Sequence, residues 1–253
     1  MGFPPDPVFG EYGGVSRLRP SQLSASPRPG PVGGAPFEAV AAEGRLRAAL
    51  DALYRIDPRL RAAEEAAGPP PWRSRPEGFG AMLRTIVGQQ LSTVAATAIF
   101  ERLAPGGAVP LPGALLAMPG ESLRALGLSQ QKIGYVRGLA DAVATGRLDF
   151  AALRGLPDEE CIGLLTGVKG IGRWTAEIYL LFALDRPDVF PSADLALQAA
   201  CCDLLALPAR PSAREAAVLA EAWRPHRGAA ARLLWHYYGR CRNLALARRL
   251  PVG

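Results

Sequence analysis

Two stretches of this chain combine residue types and spacings that could do chemistry. The first is Leu165-Thr166-Gly167-Val168-Lys169-Gly170-Ile171-Gly172-Arg173-Trp174-Thr175-Ala176, which reads as two helical segments joined by a tight, glycine-rich turn. Glycines at 170 and 172 can take positive φ and leave no side chain between the backbone and a ligand. Bare amides then point outward at the head of the next helix, where the helix dipole and free N–H groups favour a phosphate. A turn of this kind can also be an ordinary corner in which glycine only permits close packing. The second stretch is Asp188-Val189-Phe190-Pro191-Ser192-Ala193-Asp194-Leu195-Ala196-Leu197, which sets a carboxylate at the head of an apolar helical run. Asp is a favoured N-cap, and a carboxylate at a helix N-terminus is stabilised as an anion. Capping alone accounts for most aspartates in such positions, and capping is compatible with a chemical role.

The elements around these stretches read as helical. Residues 1–36 are dominated by Gly, Pro and Ser, as in Pro27-Arg28-Pro29-Gly30-Pro31, and are expected to form a flexible tail. From residue 37 to about 250, apolar residues recur at three- and four-residue intervals, with Gly and Pro as punctuation. Asp57-Pro58 opens a helix that Gly68 ends. Phe79, Met82, Leu83, Ile86 and Val87 share a face, Gly88 is the expected stop, and Ser92 caps a helix running through Phe100. Gln89-Gln90-Leu91 is the elbow between them. Ser129 caps a segment ending near Gly146, and Pro157 opens another near Cys161. Later helices are expected over 174–184, 192–205, 212–223 and about 227–238. No alternating pattern of useful length and no tandem repeat interrupts them, so the expected class is all-α.

Composition narrows the partners. The chain of 253 residues is 49% hydrophobic, with net charge +6, and all but Lys132 and Lys169 of its 29 basic residues are arginines. A basic balance favours an anionic partner such as nucleic acid. Cys161, Cys201, Cys202 and Cys241 have neither metal-ligand nor disulfide spacing. No export signal or membrane-length apolar run is seen, so a cytoplasmic location without membrane association is expected.

The segment Gly170-Ile171-Gly172-Arg173-Trp174-Thr175-Ala176, followed by Asp194, resembles the helix-hairpin-helix DNA glycosylase superfamily, and within it the DNA-3-methyladenine glycosylase II family. The likeness runs from about residue 75 to 240 and implies two helical subdomains flanking a cleft. It implies a compact form, because residues 37–70 are too few and too helical for the N-terminal mixed α/β domain of larger members. It makes Asp194 the catalytic carboxylate. Cleaving an N-glycosidic bond builds positive charge on the sugar, and a fixed anion in a water-poor site lowers that barrier. Alkylated purines such as 3-methyladenine and 7-methylguanine, in double-stranded DNA, are the implied substrates, with the enzyme acting as a monomer at the nucleoid.

Other roles follow from the same resemblance. Gly167, Lys169, Gly170, Ile171, Gly172, Arg173 and Thr175 are the expected DNA contacts, and the backbone oxygens of Thr166, Val168 and Ile171 are the expected ligands of a monovalent Na+ or K+. Lyase members carry a lysine seven residues before the first glycine of the turn. Here that position is Gly163, so a monofunctional enzyme is expected. The cysteines do not match an iron–sulfur branch, so no cluster and no required cofactor is expected. Extracting a base needs an inserted side chain and a π-walled pocket. Gln90 or Leu91 is the expected wedge, where a bacterial member carries an apolar residue. Trp235 and Trp174 are the expected pocket walls for a cationic purine, Trp223 is placed in the core, and Ile178 stands where the family has a pocket tyrosine. The competing readings are a non-catalytic helix-hairpin-helix DNA-binding module and a glycosylase for another lesion class.

Overall fold

The computed structural model describes residues 36–247, apart from the side chains of 36–39, 93 and 242–247. The expected N-terminal tail lies outside these residues, Pro36 excepted. Among the described residues, twelve α-helices and two short 3-10 turns account for the regular structure, and no strand occurs. The described residues divide into two compact units, one comprising Arg75–Ala176 and the other residues 36–74 together with 177–247.

The first unit is organised on α7 (Gln130–Ala144). Ile133, Val136, Leu139 and Ala140 recur at helical spacing and are buried, giving the helix one inward face. The Ser129 hydroxyl accepts the Lys132 amide at 3.3 Å and starts the helix where a serine cap was expected. Against α7 pack α3 (Phe79–Gly88), α5 (Pro112–Ala117) and α6 (Gly120–Ala125), and α3 also packs on α4 (Thr93–Leu103). Met82, Leu83, Ile86 and Val87 of α3 are fully buried, each worth roughly 1.5–3 kcal/mol of transfer free energy. α5 and α6 were not expected from the sequence, because six-residue helices are too short to display a period. α8 (Asp158–Thr166) completes this unit, and α9 (Arg173–Phe182) begins in it and ends in the other.

The second unit gathers α1 (Pro36–Ile56), α2 (Arg59–Ala67), α10 (Leu195–Leu204), α11 (Ala213–Glu221) and α12 (Arg227–Ala247). α12 packs against α10, α2 and α1, and runs further than the expected end near 238. Its start is pressed onto the loop that leads to α10. A Cβ at Gly228 would meet the Pro187 carbonyl at 2.7 Å, and the Gly228 amide donates to that same carbonyl at 2.8 Å. Arg227 reinforces the contact, its Nε donating to Asp188 Oδ1 at 2.9 Å and its Nη2 to the Asp188 carbonyl at 2.7 Å. This side of the core therefore fixes the chain just ahead of residue 194.

Candidate active site

Each unit carries one of the two chemical stretches. In the first, α8 ends at Thr166 and the chain turns through 167–172 into α9. The Ile171 amide donates to the Val168 carbonyl at 3.0 Å and closes the turn, while Val168 and Ile171 anchor it in the interior. Gly170 has φ +98°, and a Cβ there would lie 2.4 Å from the Tyr135 ring. Glycine is required at 170 on both counts. Gly167, Lys169, Gly172 and Arg173 are exposed. Arg173 makes a two-pronged pair with Glu159 at 2.6 and 3.0 Å, a solvent-exposed arrangement of small worth that an incoming anion can displace.

Two expected DNA contacts lie inward. Ile171 is 4% and Thr175 7% exposed, so the side chain of Thr175 is a packing group and not a surface contact. Thr175 begins a run that continues past the end of α9 to Leu184 and in which every residue, Glu177 included, is buried, and a helix buried on all sides belongs to a core.

The elbow after α3 is tied to this turn. Gln89 Nε2 donates to the Gly170 carbonyl at 2.8 Å, across 81 positions of sequence. Gly88, the expected stop, is the last helical residue, and the elbow's positive φ falls on Gln90 (+56°). A non-glycine residue held there stores strain of about 1–3 kcal/mol, the kind of cost that accumulates at functional sites. Gln90 is exposed and Leu91 half-buried. Beside them, Lys132 Nζ donates to the Val87 carbonyl at 2.6 Å, and burial lowers its pKa. Gln90, Gln131, Lys132 and Tyr135 share with the turn an open pocket of about 340 Å³.

The second unit holds the carboxylate. Asp194 is 4% exposed and caps α10, its Oδ1 accepting the Ala196 amide at 2.9 Å and the Leu197 amide at 3.0 Å. A third donor reaches the same oxygen, the Trp235 indole N–H at 3.0 Å. Three donors on one oxygen orient the carboxylate. The loop before it is pinned as well, with the Asp194 amide on the Pro191 carbonyl at 2.9 Å and Gln198 Nε2 on the Ser192 carbonyl at 2.9 Å. Gln198 was not anticipated; its position one turn after Asp194 was the available signal.

The pocket residues need revision. Trp235 is 4% exposed, its ring tilted 32° against Phe182 with centroids 5.6 Å apart. It therefore meets Asp194 through its N–H edge and does not present the open face expected of a stacking wall, because α12 turns it inward. Ile178 is 2% exposed on α9, and Trp174, one turn earlier, is half-buried. Trp223 lies in the core as expected, 1% exposed, with Phe190 edge-on to it at 5.7 Å and its N–H on Asp57 Oδ2 at 3.1 Å.

As for ions, the carbonyls of Thr166, Val168 and Ile171 are neutral, hard oxygens in a glycine turn, a donor set suited to an alkali cation and not to a soft transition metal. Val168 keeps a second lone pair beside its turn bond. The four cysteines are free thiols, and burial pushes the Cys201 thiol up to about 12.

Residues 83–225 match the HhH-GPD superfamily of base excision DNA repair proteins. The chain belongs to this superfamily. The match takes in the elbow, the hairpin and Asp194, and stops before α12. Within the HhH-GPD proteins, the chain is similar to DNA-3-methyladenine glycosylase 1 of Schizosaccharomyces pombe, 37% identical over 163 residues that span 63% of this chain and 72% of that one. The crystal structure of a DNA-3-methyladenine glycosidase from Bacillus halodurans is similar at TM-score 0.70 and 34% identity, covering 77% of this chain and 91% of the other. The S. pombe 3-methyladenine DNA glycosylase in complex with abasic DNA is similar at TM-score 0.61 and 35% identity, covering 69% and 88%.

Proposed function

We propose that this protein is a monofunctional DNA glycosylase that hydrolyses the N-glycosidic bond of alkylated purines, of the 3-methyladenine and 7-methylguanine type, in duplex DNA. The observation that carries the reading is the buried Asp194, whose carboxylate is held on one oxygen by two α10 amides and the Trp235 N–H. Departure of the base leaves positive charge on the deoxyribose. A carboxylate already oriented in a dry site meets that charge without reorganising, and each tenfold in rate needs only about 1.4 kcal/mol. N3- or N7-alkylation makes the purine cationic, so it leaves with little need of protonation.

The first unit supplies the grip. The exposed amides of the 167–172 turn and the N-terminus of α9 suit a backbone phosphate, and the carbonyls of residues 166, 168 and 171 would hold a Na+ or K+ that adds positive charge there. Gln90, exposed and held at positive φ next to the turn, is the residue assigned to fill the gap left by the everted nucleotide. Gly163 offers no amine for a Schiff base, so water is the acceptor of the sugar. Among the described residues no helix is long and apolar enough to cross a membrane. The cytoplasm, at the nucleoid, is the proposed location.

The test is base release from methylated duplex DNA by the wild type and Asp194→Asn. Asn caps a helix as well as Asp does, so the variant removes charge and leaves the fold. Release should collapse while binding to an abasic-site duplex persists; undiminished release by the variant overturns the assignment.

A further inference from the structure

The second unit buries a cation that the reaction described above does not use. Arg232 is 7% exposed and stands one turn before Trp235 on α12. Its guanidinium carbon lies 4.4 Å from the centroid of the Trp72 ring and 4.6 Å from that of Phe182, so the cation is in contact with two π systems. Nη1 donates to the Arg73 carbonyl at 2.7 Å and Nη2 to the Leu181 carbonyl at 2.7 Å. Leu181 belongs to the last turn of α9, where the helix dipole favours positive charge. Asp185 contributes from 3.9 Å. Burial lowers the Arg232 pKa to about 10, which leaves the group charged at neutral pH.

Burying a cation is costly, and an apolar side chain of similar volume often serves stability equally well. What the guanidinium does that an apolar group cannot is fix directions, and the direction it fixes leads to the carboxylate. Phe182 touches Arg232 with its ring and also meets Trp235, whose N–H reaches Asp194. The guanidinium's two carbonyl bonds set its plane, its plane sets the Phe182 ring, and that ring limits the tilt of the indole. Trp72, Arg232, Phe182, Trp235 and Asp194 thus form one continuous chain of contacts.

We propose that Arg232 is a positioning residue for base release, acting through Phe182 to hold the Trp235 indole in the orientation that fixes Asp194. This rests on Asp194 being the catalytic carboxylate. The experiment compares Arg232→Met, Trp235→Phe and the double variant for the single-turnover rate of base release from methylated duplex DNA, with affinity for an abasic-site duplex measured alongside. Arg232→Met should slow release about tenfold and leave affinity within about twofold. In the Trp235→Phe background the same change should cost less than about twofold more, because residues acting through one contact are not additive.

Equal losses in both backgrounds, or an unchanged rate in Arg232→Met, overturn the proposal. Should Arg232→Met fail to fold, Phe182→Leu removes the linking ring while keeping the arginine and its carbonyl bonds, and the same non-additivity with Trp235→Phe is required. Asp194→Asn is run in parallel. If it releases base normally the catalytic reading fails, whereas its collapse together with an unaffected Arg232→Met sinks only the positioning role.

Discussion

Asp57 and Asp194 are two nearly buried aspartates of the second unit, each just ahead of a helix and each accepting an indole N–H, from Trp223 at 3.1 Å and from Trp235 at 3.0 Å. Their other described partners differ. Asp57 receives both prongs of Arg59 at 2.8 Å, one on each carboxylate oxygen, and the arginine holds its pKa below the usual carboxylate range. Asp194 receives backbone amides, and these converge with the indole on Oδ1. The first arrangement neutralises a carboxylate and ties α2 to residue 223. The second orients a carboxylate through two helix-head amides and an indole N–H. The same pair of residue types is thus held in two ways, by a side-chain guanidinium at Asp57 and by backbone amides at Asp194, and the proposed function gives the second the chemical role.

The sharpest way to break this contrast is to exchange the charges. Asp194→Asn should lower base release by about 100- to 1,000-fold with the unfolding midpoint unmoved, as removing a preorganised electrostatic group does. Asp57→Ala should do the reverse. It leaves the Trp223 N–H and Arg59 without their acceptor and should cost about 2 kcal/mol in urea unfolding while release stays near wild type. Equal effects of the two changes on release would erase the distinction.

Acid provides a second handle on Asp57. Its folded pKa is depressed, so its contribution to stability is fully present above the unfolded value near 4 and is lost as pH falls through the folded one. Stability measured from pH 6 down to 2 should therefore fall less steeply in Asp57→Asn than in the wild type. The smallest effects come from the indoles. Trp235→Phe keeps a ring and removes the N–H, and should slow release about tenfold, equivalent to about 1.4 kcal/mol. Trp223→Phe should cost about 1 kcal/mol of stability and nothing in rate. A rate loss in both tryptophan variants would mean that the two aspartates are held for the same purpose.

Much of the fold was legible in the residues because the signals are local. Ser92, Ser129 and Ser212 cap helices through bonds to amides three positions on, and at Ser212 the Glu215 side chain reaches back to complete a capping box. Gly170 announced a turn because few other residues take its φ. The elbow was placed correctly, yet its left-handed residue is Gln90, since the hold on it comes from Gln89 reaching Gly170 and not from local preference. Thr175 was expected among the DNA contacts from the resemblance of the hairpin, and only the packing of α9 puts its side chain inside.

By itself the sequence determined the helical class, the glycine turn and a carboxylate at a helix head, each of which depends on residues within a few positions of one another. Only the tertiary structure decided which way the tryptophans face, that Arg232 is buried between two rings, and that Asp57 is tied to Trp223. Those outcomes join residues 41 to 166 positions apart, as in Trp235 with Asp194 and Trp223 with Asp57. Periodicity within a helix says which residues point inward, but the partner each one meets is set by how separate helices pack.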